Sequence, residues 1–148
     1  MTSSDWAKFG AKYTRQIQKA SKHSKFGAET ALRTLADGGQ YKFASKAEAR
    51  RYDELLLMQR ADKIRKLKIQ PQFTVQESYI DGTTGERVKA IHYVADFSYE
   101  RKTAPDVNGT VYWLPVVEDV KGFKTEVYKL KRKLVQERFG ISIIEVEA

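Results

Sequence analysis

The sequence has no cysteine, which rules out a disulfide framework and a thiolate zinc site. Histidine is almost as scarce. Only His23 and His92 occur, too few for a histidine-built zinc site or a nucleophile–base relay. No apolar run approaches the roughly 18–20 residues that span a bilayer. At the N-terminus, Trp6, Lys8 and Lys12 stand where a secretory leader needs an uninterrupted apolar stretch. The expectation is a cytoplasmic protein with no membrane partner. Acidic residues are also in deficit: 19 Asp and Glu against 27 Lys and Arg give a formal net charge of +8. That surplus points to a polyanionic partner, nucleic acid first and an anionic membrane surface second. At 148 residues the chain is long enough for one domain with a sizeable core.

Residues 1–40 are basic and of mixed character. Trp6, Phe9, Tyr13 and Ile17 recur at helical spacing with lysines interleaved. Ala28, Leu32, Leu35 and Ala36 read as a second short helix ended by Asp37-Gly38-Gly39. This segment reads equally as a basic arm for DNA and as a helical extension packed on the domain that follows or on a second copy of it.

From residue 41 to 148 the pattern is that of one domain. Ser45-Lys46-Ala47-Glu48 opens a helix running to about Ala61, with Ala49, Tyr52, Leu55 and Leu56 on its buried side. Glu48 fits a capping box with Ser45, and it also stands one turn before Tyr52, where it could reach inward. Ile64 to Gln76 reads as a strand interrupted by Pro71, and Val88 to Tyr99 as a second. Asp96 lies within the second strand, where aspartate is disfavoured by propensity and costly if buried alone.

Thr110 to Lys121 reads as the third strand, entered through Asn108-Gly109. On it, Asp119 and Lys121 point the same way, because strand side chains alternate. A carboxylate and an ammonium so placed could hold a metal ion and position a water. A two-residue turn at Asn108-Gly109 would set Asp96 opposite Lys121 and diagonal to Asp119, all on one face. Glu100-Arg101-Lys102 repeats the acid-x-lysine spacing, but at a strand end facing the turn. Thr125 to Arg138 reads as a helix capped by Thr125 and ended at Gly140, with Val127, Leu130, Leu134 and Val135 as its buried side. Ile141 to Val146 is a last strand, so a parallel crossover follows.

The element order α-β-β-β-α-β, with acids at these places, resembles the PD-(D/E)XK nuclease superfamily. Phe43-x-Ser45-Lys46-x-Glu48-Ala49-x-x-Tyr52, Gln70-Pro71, Ala95-Asp96-Phe97 and Glu118-Asp119-Val120-Lys121-Gly122 look like a phage-borne family within it. That family is catalogued as a domain of unknown function and likened to Holliday-junction resolvases and transposon end-nucleases. The likeness covers roughly residues 41–146, and Ala95 replaces the proline that often precedes the aspartate.

The resemblance implies an α/β fold: a restriction-endonuclease-like αβββαβ core, its mixed sheet flanked by helices, behind the basic helical extension. It implies Mg²⁺-dependent hydrolysis of DNA phosphodiester bonds, with Mn²⁺ as substitute. Asp96, Asp119, the Val120 carbonyl and Glu48 would serve the metal. Lys121 would orient water or meet the charge growing on phosphate. Lys124 and Thr125, followed by the helix cations Lys129, Lys131, Arg132 and Lys133, would hold the DNA, double-stranded or branched. A homodimer suits cutting two strands, in the host cell cytoplasm. The competing reading is a nucleic-acid-binding protein that does not cut.

Overall fold

The computed structural model describes residues 29–148, and the helical pattern of Trp6 to Ile17 lies outside them. The described residues fall into two compact units divided after Lys46. In the first, β1 (Ala31–Thr34) pairs antiparallel with β2 (Gln40–Phe43), Ala31 opposite Phe43 and Thr34 opposite Gln40. The short helix expected through Ala36 is therefore a strand. Its few apolar residues lose to the turn chemistry beside them. Gly38 takes φ 84°, Leu35 N donates to Gly39 O at 2.7 Å, and the Asp37 carboxylate accepts Gly39 N. That geometry closes a hairpin.

α1 (Lys46–Arg60), all but its first residue in the second unit, forms where expected and buries Glu48, Ala49, Tyr52 and Leu55. It ends with Asp62 at φ 55°. Asp62 N bonds Gln59 O and Lys63 N bonds Met58 O, a Schellman ending in which aspartate takes the usual glycine place.

The two long strands expected next are each broken. The first divides at Pro71 into β3 (Ile64–Ile69) and β4 (Gln72–Gln76). β5 (Tyr79–Ile80) and β6 (Arg87–Val88) form a small hairpin, and its turn uses Asp81 to Glu86 as the sequence indicated. The second long strand divides at Ala95-Asp96 into β7 (Ile91–Val94) and β8 (Phe97–Lys102). β9 (Trp113–Lys121), α2 (Glu126–Phe139) and β10 (Ile143–Glu147) complete the chain.

The main sheet has the order β10-β9-β8-β3. β9 and β10 are parallel and the other neighbours antiparallel, so the sheet is mixed and the fold is α/β. β4 and β7 pair separately, yet they continue the β3–β8 ribbon. Gln70 N donates to Asp96 O at 2.9 Å and Ala95 N to Pro71 O at 3.1 Å across the break. Proline has no N–H for the ladder and Gln70 takes φ 49°, so the ribbon bends there.

The β8–β9 register differs from the two-residue turn expected at Asn108-Gly109. Phe97 stands opposite Glu118, where the expected turn would put Val120. The loop is longer: Gly109, at φ 80°, donates to Asp106 O, and Asp106 N donates to Thr110 O. This is a three-residue connection with glycine in the left-handed position. The Asp106 carboxylate accepts Asn108 N and Thr110 N, bonds that hold its pKa below the usual range. The displacement is an even number of residues, so β8 and β9 keep the expected facing relative to each other.

One helix covers each face of the sheet. Tyr52 of α1 stacks on Phe97 with centroids 6.4 Å apart. Val135 of α2 joins Val117, Ile143, Tyr93 and Ala95 in a core on the other face. α2 has the expected ends, Thr125 accepting Tyr128 N and Gly140 in the left-handed region, but not the expected inner side. Val135 is buried and Val127 half-buried, whereas Leu130 and Leu134 are exposed. Tyr128, Lys131 and Arg132 turn inward instead, because their polar ends find partners there while their stems cover apolar surface. Among the described residues no helix is long and apolar enough to cross a membrane.

Candidate functional site

Five consecutive residues of β9, Val116 to Val120, are buried. A strand packed by helices on both faces shows such a run rather than alternation. Two carboxylates are carried inside by it, on opposite faces, and they are compensated differently. On the α1 side, Arg51 forks onto Glu118, Nε to Oε2 at 2.9 Å and Nη2 to Oε1 at 2.7 Å. The Tyr99 hydroxyl donates to Glu118 as well. The Arg51 pKa is driven up, first by the hydrogen bond to Glu118. The Tyr99 pKa is raised, by burial first and by Glu118 next.

On the α2 side, Asp119 is 0% exposed, and the Lys121 ammonium lies 2.9 Å from its Oδ1. Lys121 is further held over the Tyr128 ring, 4.9 Å from the centroid, a favourable cation–π placement.

Asp96 arrives at this point through the bend in the ribbon. It follows the last β7 residue by two positions and directly precedes β8, so its backbone serves both neighbours. Its N–H donates to Glu118 O at 3.0 Å and its carbonyl accepts Gln70 N. Its side chain Oδ2 accepts Val120 N at 2.6 Å. The carboxylate thus stands in for a strand partner and is fixed against the backbone between Asp119 and Lys121. Asp96 meets Val120, and Asp119 meets Lys121, but the expected placing of Asp96 opposite Lys121 is not formed, because the register is shifted by two.

Glu145 was missed by sequence reasoning. It lies on β10 opposite Asp119 in parallel register, hence on the same face. Lys124 pairs with it, Arg132 Nη1 donates to its Oε1 at 2.8 Å, and the Tyr128 hydroxyl donates at 3.2 Å. The Lys124 bond is the largest influence holding its pKa below the ordinary glutamate value. Tyr128 shifts upward through burial and the nearby charges of Asp119 and Glu145. Only the strand–helix–strand signal pointed toward this arrangement, and the parallel register is needed to see it.

Glu48 is buried in the first turn of α1. The helix contacts the sheet through Arg51 and Tyr52, on the face opposite Asp119. Among the described residues no group of three His, Cys, Asp or Glu side chains is placed to hold a metal ion. The oxygens at hand for a cation are the Asp96 and Asp119 carboxylates and the backbone of Val120. That donor set suits Mg²⁺, which takes one or two carboxylates and retains several waters.

The expected DNA-binding residues of α2 divide in two. Lys129 and Lys133 are exposed, Lys129 pairing with Glu126. Lys131 turns in and donates to the His92 carbonyl at 2.9 Å, with a pKa lowered by desolvation. Arg132 is engaged with Glu145 and the Ile143 carbonyl. Thr125 serves as the helix cap. The model of one family, described as a protein of unknown function (DUF1064), matches residues 23–142. No curated protein and no solved structure matches.

Proposed function

We propose that this chain, which belongs to the DUF1064 family, is a Mg²⁺-dependent DNA endonuclease on a restriction-endonuclease-like core. The observation that carries the reading is the Asp96 carboxylate bonded to Val120 N at 2.6 Å, between Asp119 and its ion-pair partner Lys121. Asp96, Asp119 and the Val120 carbonyl would hold the ion. A bound Mg²⁺ supplies Lewis acidity to a phosphate oxygen and acidity to a coordinated water. Lys121, steadied by Asp119 and the Tyr128 ring, orients that water or meets the charge developing on phosphate. Glu48, carried by α1 on the opposite face of the sheet, is not assigned to the ion in this reading. Lys124, Lys129 and Lys133 offer contacts to the DNA backbone.

The substrate in this reading is double-stranded or branched DNA, cut by a homodimer as in junction resolution during phage recombination. The test is incubation of the protein with labelled junction, duplex and single-stranded DNA, with and without Mg²⁺. Metal-dependent cleavage of a junction or duplex is expected. Absence of cleavage on all three, with Mg²⁺ or Mn²⁺ present, refutes it.

The complete burial of Asp119 favours a second reading, a nucleic-acid-binding protein in which Asp119–Lys121 is a structural ion pair. Retained DNA binding with no cleavage at any metal concentration would select it.

A further inference from the structure

The α2 face of the main sheet continues beyond the carboxylates, and there it is not covered by α2. The inward side chains of α2 reach β10, β7 and β4: Arg132 meets Glu145, Lys131 meets the His92 carbonyl, and Arg138 meets the Val75 carbonyl. The far ends of β3, β8 and β9 carry a different surface on the same face. Arg65 stands opposite Glu100, Lys68 opposite Ser98, and Lys102 opposite Trp113.

A bulge makes this surface. Between Arg65 and Lys68 the β3 strand has two residues against one on β8, with Lys66 at φ 56°. Regular alternation would send Arg65 and Lys68, three apart, to opposite faces. The extra residue puts both on the α2 face, while Leu67 N bonds Gln59 of α1 on the other side. The cations are held up rather than splayed. The Arg65 guanidinium lies 4.4 Å from the Trp113 ring centroid, and the Lys102 ammonium lies 5.5 Å from it. Glu100 ties Arg65 at 2.5 Å and Lys66 at 2.8 Å, and Asp62 pairs with Lys102 at 2.5 Å. Lys68 is exposed.

We infer that this bulged end of the sheet is a docking track for the phosphate backbone of duplex DNA, with Arg65, Lys66, Lys68 and Lys102 as its contacts. A bulge that spends a regular ladder position to gather cations on one face has no use in the core. The partner is a duplex backbone rather than unstacked bases, because the Trp113 ring is already taken by two cations and offers no free stacking platform. Contacts of this kind carry no base sequence. The inference rests on the nuclease reading only for its direction. From Trp113 to Asp119 is six residues along β9, about 20 Å, or about six base pairs of DNA. A duplex lying on the track therefore reaches the carboxylates about half a helical turn away.

Binding of the full chain to a fluorescent DNA duplex, measured in EDTA over a series of salt concentrations, tests this. The double variant Lys68→Gln/Lys102→Gln should flatten the log–log salt slope by about 1.8, at about 0.9 per lost phosphate contact. Lys89→Gln, exposed in the loop before β7, should leave the slope unchanged. An unchanged slope in the folded double variant, or an equal change in the Lys89 control, overturns the track. Metal is absent from the assay, so a failure of cleavage chemistry does not touch this result. Conversely, an unchanged slope leaves the cleavage assay standing.

Discussion

The Asp96 carboxylate and the Val120 amide are joined at 2.6 Å, so an acid side chain completes the hydrogen bonding of a central strand where its neighbour turns away. A buried amide must find a partner, and here the partner is also an ion-capable group. Position and chemistry are fixed by the same bond.

Asp96→Asn and Asp119→Asn should each lower cleavage by orders of magnitude, for different structural costs. Asparagine keeps an oxygen for Val120 N, so Asp96→Asn should melt close to the parent. Asp119→Asn strands the Lys121 ammonium, which is only 17% exposed, and should lose about 1–3 kcal/mol. Calorimetry with Mg²⁺ or Mn²⁺ should show weakened binding in both. Unchanged binding in both would remove them from the metal site.

Arg51→Met leaves the Glu118 carboxylate, 2% exposed, without its cation. Removing one member of such a pair costs about 3–5 kcal/mol. Arg51→Met combined with Glu118→Met should cost much less than the two single losses summed, because the uncompensated charge is gone. Urea unfolding of the four proteins measures the coupling, and additive losses would contradict it.

Val135→Ala should cost about 2 kcal/mol, since two buried carbons are lost from the core. Leu130→Ala and Leu134→Ala should stay within about 0.5 kcal/mol, as exposed positions do. The reverse order in thermal denaturation would mean that α2 is rotated from its described orientation.

Glu145 has a folded pKa below its unfolded value. Its bonds to Lys124, Arg132 and Tyr128 stabilise the fold above the unfolded pKa and are lost as pH falls through the folded one. Between about pH 6 and about pH 3, Glu145→Gln should show a shallower fall in melting temperature than the parent. Parallel curves would refute the assignment.

Local signals carried much of this architecture. The α1 and α2 helices, the Thr125 cap and the Gly140 stop follow from side-chain periodicity and turn chemistry. The interruption at Pro71 was legible, but the break at Ala95-Asp96 was not: an unbroken alternation puts Phe97 on the face of Tyr93 and Ala95, whereas the break turns it to the α1 side. The β8–β9 register turned on whether Asn108-Gly109 forms a two- or three-residue loop, and Asp106 settles that through bonds to Asn108 and Thr110. Candidate-site residues on one strand, Asp119 and Lys121, were legible from spacing alone. Glu145 was not, since parallel neighbours are set by a crossover whose register has no local signature. The outward Leu130 and Leu134 were misread because the orientation of α2 follows from Lys131, Arg132 and Tyr128 finding distant polar partners.

The three-residue loop closed by Asp106 puts Val107 wholly in solvent, at a tip whose backbone is held from below. In a chain without cysteine, Val107→Cys would be the sole thiol, open to a maleimide dye. That makes the loop a ready attachment point: energy transfer between a dye there and one on a DNA end would report how the nucleic acid is oriented along β9.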